Sequence, residues 1–182
     1  MAFTDAVTEA CRTSGALLIA DEIQCGLGRT GAPFYSATLG LQPDLMSLGK
    51  ALGAGVPIGT ILLSQQVADA ISSGDHGTTY GGNLLACRAA LVFLEAMEHG
   101  GFERVRQAGV TLGGGLDALA QRYPVITDVR GAGLMRGLEM PADTAAQVVE
   151  GALARGLLVN RTAGRVVRML PPLTVSDTEI DK

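Results

Sequence analysis

The sequence contains no tryptophan, and charged residues make up only 18% of its 182 residues. It has no run of lysines or arginines and its formal net charge is -4, so we do not expect the basic surface that binds nucleic acid or anionic lipid. The longest stretch without charge, residues 51–68, contains three glycines and Pro57, which makes it a poor membrane-spanning helix. These absences predict a soluble protein with neither a nucleic-acid nor a membrane partner.

Cysteine is also scarce. Cys11, Cys25 and Cys87 lie far apart, and none belongs to a Cys-x-x-Cys pair. An odd number of isolated cysteines favours reduced thiols in a cytoplasmic protein over a metal site or a disulfide framework.

Apolar residues are abundant, at 47%, and the mean hydropathy is +0.29. This composition is typical of a globular chain, and its apolar excess favours a large buried interface or a piece of a larger protein.

The hydrophobic pattern predicts an α/β first half and an α+β second half, with a boundary near Gly100. In the first half we expect helices at residues 3–15 and 83–99 and buried strands at 16–20, 44–48 and 58–63. In the second half we expect helices at 102–123 and 142–155 and strands at 125–129, 134–140, 157–160 and 166–170. Ser176 and Glu179 form a Ser-x-x-Glu capping box, which marks the start of another helix.

The first candidate site residue, Asp21, directly follows an apolar strand. Ligands of open parallel sheets bind beyond the carboxyl ends of the strands, and a carboxylate there can hold a proton on a pyridine nitrogen. The alternative is a structural salt bridge with Arg29.

The second candidate, Lys50, follows another predicted strand and stands among glycines, in the segment Ser47-Leu48-Gly49-Lys50-Ala51-Leu52-Gly53. The only other lysine is Lys182. A lysine that forms a Schiff base has to be partly neutral, and burial in a dry pocket supplies that condition. The alternative is a solvated loop lysine.

Two further segments carry polar groups of potential function. Thr78 and Thr79 lie in the glycine-rich segment before a predicted helix, a setting that suits an anion such as phosphate, although such residues often only cap the helix. Arg168 lies in an apolar strand and could bind a substrate carboxylate with its planar guanidinium. A salt bridge within the second half is the alternative for Arg168.

Together these segments resemble the ornithine-type, class III aminotransferases, which are pyridoxal-phosphate enzymes of fold type I. The resemblance covers about residues 16–180 and rests on LLIADEIQCGLGRTG, LGKALGAGVPIG, HGTTYGGN, VRGAGLM, GLLVN and VVRMLPPL, which occur in the family's order. It implies that residues 1–100 are the C-terminal portion of a large, cofactor-binding domain. Residues 101–182 would be a small C-terminal domain that is truncated at its end.

The resemblance also implies the roles of the cofactor-binding residues. Lys50 would be the catalytic lysine that forms the Schiff base and moves the proton. Asp21 would pair with the pyridine nitrogen, and Gln24 would hydrogen-bond near the phenolic oxygen. Thr79, together with Thr78, would reach the phosphate of the partner subunit, which implies a homodimer with shared active sites.

The substrates follow from the same resemblance. Arg168 would bind a substrate carboxylate. The segment GLLVN followed by RTAGRVVRMLPPL is most similar to family members that transfer the δ-amino group of N-acetylornithine to 2-oxoglutarate, in arginine biosynthesis. The alternatives are another amino donor (succinyldiaminopimelate, succinylornithine, ornithine or 4-aminobutyrate) and a non-catalytic remnant that pairs with an intact subunit.

Overall fold

The computed structural model describes residues 3–182, which divide into two compact units. The first unit comprises the residues up to Leu27 together with Ala32–Gly100. The second comprises Gly101–Lys182 and the short segment Gly28–Gly31. Four residues from the middle of a first-unit loop therefore belong to the second unit.

Among its described residues, the first unit contains a three-stranded sheet, four α-helices and a 3₁₀ turn. Its elements are α1 (Phe3–Ser14), β1 (Ile19–Asp21), α2 (Tyr35–Thr38), β2 (Leu45–Gly49), a 3₁₀ turn (Lys50–Gly53), β3 (Gly59–Leu63), α3 (Gln65–Ala70) and α4 (Leu84–Ala96). In the sheet β2 is central, parallel to β1 and antiparallel to β3. The carboxyl ends of β1 and β2 therefore meet at one edge, as the sequence predicts. The prediction that all three strands are buried was wrong: β1 starts at Ile19 and not at residue 16, and β1 and β3 are the edge strands of this sheet and are largely exposed.

The core of the first unit packs against the 3₁₀ turn. Leu27, Leu48, Leu52 and Ala90 are buried together, so that α4 packs against the turn. Burying a leucine side chain contributes about 2 kcal/mol, and this packing fixes the turn that follows β2.

The second unit is built around a four-stranded antiparallel sheet of order β4-β5-β7-β6. Its elements are α5 (Phe102–Arg122), β4 (Asp128–Ala132), β5 (Met135–Glu139), α6 (Ala142–Ala154), β6 (Asn160–Thr162), β7 (Val166–Met169) and α7 (Asp177–Ile180). Leu134, Ala145 and Val167 are fully buried at its centre.

Several predicted strand bounds were wrong by about three residues, for local reasons. Leu157, predicted to start a strand, donates its N–H to the Ala152 carbonyl and so ends α6; β6 starts at Asn160. The strand predicted at 125–129 begins at Asp128, because the Ile126 N–H closes a turn instead of pairing. The capping box is confirmed: Glu179 accepts the Ser176 N–H at 2.9 Å, although α7 has only four residues.

Helix α5 runs unbroken through its glycines, and two of them face a close neighbour. A Cβ at Gly109 would lie 2.6 Å from Gly133 Cα, and one at Gly113 would lie 2.8 Å from Arg136 Nη2. The Arg136 guanidinium donates to the Gly109 carbonyl at 2.9 Å and also to the carbonyls of Gly133 in the β4–β5 turn and of Gly131 in β4. These glycines let the turn approach the helix backbone, which offsets their low helix propensity.

Candidate active site

Asp21 lies at the carboxyl end of β1, in register with Ser47 of β2. Its Oδ1 accepts the Ile23 N–H at 3.0 Å and the Ser47 hydroxyl at 3.1 Å, and no hydrogen bond from residues 3–182 reaches Oδ2. The carboxylate is exposed and held through one oxygen, so it can present the other to a ligand. The Arg29 guanidinium binds the Pro171 and Leu134 carbonyls instead, so these contacts give the salt-bridge alternative for Asp21 no support.

Lys50 follows directly after β2 and opens the 3₁₀ turn. Its φ is +45°, in the left-handed region that side chains other than glycine rarely adopt. Strain of this kind occurs at functional sites where surrounding packing imposes it, and here the buried Leu52 anchors the turn.

The expectation that Lys50 is buried in a dry pocket was wrong for this chain, since its side chain is exposed. The turn directs Leu52 and Gly53 into the core and leaves Lys50 outside it. The first unit therefore does not enclose the amine.

A buried carboxylate next to Asp21 was missed by the sequence analysis. Glu22 is 1% exposed; its Oε1 accepts the Ser36 N–H at 2.5 Å and its Oε2 accepts the Tyr35 N–H at 3.1 Å. It also accepts the Cys25 thiol at 3.2 Å. Two consecutive acids after a strand were visible in the sequence, but the amides that bind the second one lie 13 and 14 residues further on.

Burial and hydrogen bonding set the protonation of two groups in this loop. Burial raises the pKa of Glu22, but hydrogen bonding from Ser36, Tyr35 and Cys25 lowers it more, so the pKa lies below its ordinary value. Burial, and then Glu22 itself, raise the pKa of the Cys25 thiol to about 11. Glu22 is thus ionised and Cys25 a neutral donor near neutral pH. Gln24, between them in the chain, is half-buried.

Thr78 and Thr79 are both exposed, in the segment before α4. The cap of α4 is Asn83, whose Oδ1 accepts the Leu85 and Ala86 N–H groups at 3.0 and 3.1 Å. The threonines therefore do not cap the helix. Thr78 lines a groove of about 890 Å³ between this segment and the start of β3.

Arg168 lies in β7 of the second unit, where it pairs with Asn160 of β6. Its Nε donates to Asn160 Oδ1 at 3.2 Å, and its side chain is partly buried. Ion pairs within residues 3–182 include Arg165 with Glu139 at 3.0 Å but do not include Arg168. The salt-bridge alternative for Arg168 is therefore not supported. Its two Nη groups form no ion pair with a carboxylate of residues 3–182.

Two features are absent from the described part of the chain. Across residues 3–182 no group of three or more His, Cys, Asp or Glu side chains is arranged to hold a metal ion. The same residues contain no helix that combines the length and apolar character needed to span a bilayer.

The fold and the ordered motifs define a class of protein. The chain belongs to the class-III aminotransferase family, whose model matches residues 1–182, so the resemblance found in the sequence is confirmed. Among individual relatives, the acetylornithine aminotransferase of Methanocaldococcus jannaschii is 44% identical over 98% of this chain, and that of Thermosynechococcus vestitus is 46% identical over 99%. The chain spans about 45% of the length of each.

A solved structure agrees with this assignment. The ornithine aminotransferase of Toxoplasma gondii superposes with a TM-score of 0.87 at 36% identity, over 97% of this chain and 43% of that one. That structure revealed partial occupancy of PLP at its active site. The mixed α/β fold of this chain thus corresponds to part of a fold-type I aminotransferase.

Proposed function

We propose that this chain carries the lysine-bearing half of a pyridoxal-phosphate site that transfers the δ-amino group of N-acetylornithine to 2-oxoglutarate. The products would be N-acetylglutamate 5-semialdehyde and glutamate. The observation that supports this most is the placement of Asp21 and Lys50 at the adjacent carboxyl ends of two parallel strands, β1 and β2.

The residues present fit the cofactor chemically. A pyridine nitrogen needs a carboxylate to keep its proton, and Asp21 offers Oδ2 for that purpose while Ser47 and Ile23 hold Oδ1. Lys50 is three residues beyond Ser47 and is the only lysine of the first unit. When bound, pyridoxal phosphate withdraws electrons from the carbon that carries the transferred amino group.

Each side chain then has a defined task. Lys50 would hold the cofactor through its amine and would carry the proton to and from the substrate carbon. Asp21 holds the proton on the ring nitrogen, and Gln24 hydrogen-bonds at the phenolic oxygen. Thr78 and Thr79 would bind the phosphate of the cofactor in a partner subunit, so the proposed assembly is a homodimer with shared sites. Its three isolated cysteines favour the cytoplasm.

Arg168 is the proposed carboxylate-binding residue. Both substrates carry a carboxylate, and a guanidinium binds one through two parallel N–H···O bonds. The Asn160 side chain holds Nε and so orients the Nη groups for this contact. The N-acetylornithine assignment is supported by the relatives that are named acetylornithine aminotransferases.

The first experiment is a visible absorption spectrum of the purified chain with pyridoxal phosphate, before and after borohydride. We expect a yellow band, and mass spectrometry after reduction should place the cofactor on Lys50. Lys50→Ala should remove the band, and the matched control Lys182→Ala should leave it unchanged. Attachment to Lys182, or a band that survives Lys50→Ala, would contradict the assignment of Lys50.

The amino donor is tested on the same complex. We expect N-acetylornithine to bleach the yellow band by converting the cofactor to its amine form, and 2-oxoglutarate to restore it. Faster bleaching by free ornithine or 4-aminobutyrate would contradict the assigned donor while leaving the cofactor site intact.

A further inference from the structure

Glu22 is a buried charged group to which the proposed mechanism gives no task. At 1% exposure it is among the most deeply buried side chains of the chain, and an ionised carboxylate in such a place is strongly destabilising unless it is hydrogen-bonded. Its two oxygens accept the Ser36 and Tyr35 N–H groups and the Cys25 thiol. The arrangement therefore requires the charge: these three donors all point at a group that only accepts.

The same residue is also fastened through its backbone. Its N–H donates to the Ser47 carbonyl at 3.0 Å, which extends the pairing of β1 with β2 by one step. Its own carbonyl accepts the Gly26 N–H at 3.0 Å. A Cβ at Gly26 would lie 2.7 Å from that carbonyl oxygen, so the turn closes tightly on Glu22.

These contacts close a loop that otherwise has little regular structure. Residues 22–34 contain turns and bends but no helix or strand, and the Glu22 carboxylate joins the start of the loop to Tyr35 and Ser36 at its end. Asp21 immediately precedes this closed loop and Gln24 lies within it. The orientation of both side chains thus depends on a backbone that Glu22 holds.

We propose that Glu22 is a positioning residue of the cofactor site, whose carboxylate closes the loop up to Ser36 and thereby fixes Asp21 and Gln24 toward the cofactor. The inference rests on the proposed function, since it concerns binding of pyridoxal phosphate by the same site. Glu22 does not touch the cofactor and acts only through its two neighbours.

The test compares Glu22→Gln, which keeps the shape but removes the charge, with Glu22→Asp, which keeps the charge on a shorter side chain. Glu95→Gln, the same substitution at an exposed position of α4, is the matched control. We expect Glu22→Gln to raise the Kd for pyridoxal phosphate about tenfold, because amides that lose a charged acceptor also lose the fixed backbone geometry. Glu22→Asp should fall between Glu22→Gln and the unaltered chain.

Two readouts separate positioning from general stability. Glu22→Gln should move the pH midpoint of the bound cofactor's absorbance in the same direction as Asp21→Asn does, by a smaller amount. Hydrogen exchange without cofactor should show slow Tyr35 and Ser36 amides in the unaltered chain and at least about tenfold faster exchange in Glu22→Gln. The second readout does not depend on cofactor binding.

Each outcome supports or overturns the inference. A Kd and pH midpoint equal to those of Glu95→Gln overturn it, and so do fast Tyr35 and Ser36 amides in the unaltered chain. If Glu22→Gln does not fold, the comparison of Glu22→Asp with the control decides in the same way. If the unaltered chain shows no cofactor band at all, the proposed function fails, and the inference fails with it even where the amides are protected.

Discussion

The left-handed backbone at Lys50 predicts that this residue reduces the stability of the chain. A non-glycine residue in this region costs about 1–2 kcal/mol, because its Cβ crowds the following carbonyl. Glycine removes that strain but loses about 0.5–1 kcal/mol more conformational entropy on folding. Since the φ of Lys50 is +45° and its side chain is exposed, Lys50→Gly should stabilise the chain by roughly 0.5–1 kcal/mol.

Two variants serve as controls. Lys50→Ala keeps the strained backbone and should leave stability almost unchanged. Ala54, at the other end of the same 3₁₀ turn, has a φ of +47° and is exposed, so Ala54→Gly should stabilise by a similar amount. Only the Lys50 variants should lose the cofactor band.

The assay is urea unfolding followed by circular dichroism, which suits a chain without tryptophan fluorescence. If Lys50→Gly is no more stable than Lys50→Ala, the backbone at Lys50 is not strained and the reasoning is refuted. If Ala54→Gly also fails to stabilise, the error lies in the geometry assigned to the whole turn. If Lys50→Gly is more stable but does not bind the cofactor, the native Lys50 lowers the folding stability while it supplies the amine.

Three further predictions concern packing and protonation. Gly109→Ala should destabilise the chain by about 1–2 kcal/mol through overpacking. Gly115→Ala, with no atom within 4 Å of the new Cβ, should stabilise it by up to about 1 kcal/mol. If the urea midpoints of the two variants shift in the same direction, this reasoning is contradicted. Arg29→Met should lower the free energy of unfolding by about 1–2 kcal/mol, because it leaves the partly buried Pro171 carbonyl without its charged donor, and an unchanged midpoint would refute that role. Burial raises the pKa of Cys25 to about 11, so Cys25 should react with iodoacetamide at pH 8.5 more slowly than the exposed Cys87, and equal alkylation rates would contradict this. The stability that the neutral Cys25 thiol contributes should be present below the ordinary pKa of a thiol and lost as the pH rises through 11.

The existence of three strands in the first unit and the placement of Asp21 and Lys50 at strand ends were predictable because they depend on local patterns, whereas the burial of β1 and β3 was predicted wrongly. A short apolar run that ends in a polar residue marks the end of a buried strand, and parallel neighbours bring such ends together. The α4 start was predictable within one residue, since Asn83 is a strong N-cap. These inferences require no knowledge of which distant residues meet.

Contacts between distant residues were not predictable. The burial of Glu22 depends on amides 13 and 14 residues away, and the close approach of Gly109 to Gly133 spans two elements. The sequence showed the glycines of α5 only as a weakness in helix propensity. Their value lies in the space that they leave for the facing turn, which a one-dimensional pattern does not contain.

The exposure of Lys50 shows that the position of its amine and the shielding of that amine from water depend on different parts of the structure. The sequence motif had predicted both together. The position and backbone angle of Lys50 are set within the first unit, by β2 on one side and the buried Leu52 on the other. Exclusion of water from the amine is not set within the first unit, because the Lys50 side chain is exposed. A lysine that attacks an aldehyde needs both properties. Hydration stabilises the charged amine, whereas only the neutral amine is a nucleophile. The enclosing surface would then come from outside the first unit, and the bound cofactor and a partner subunit are two groups that the proposed function supplies. A motif of this kind therefore identifies which amine reacts, while the rate of its reaction depends on what covers it.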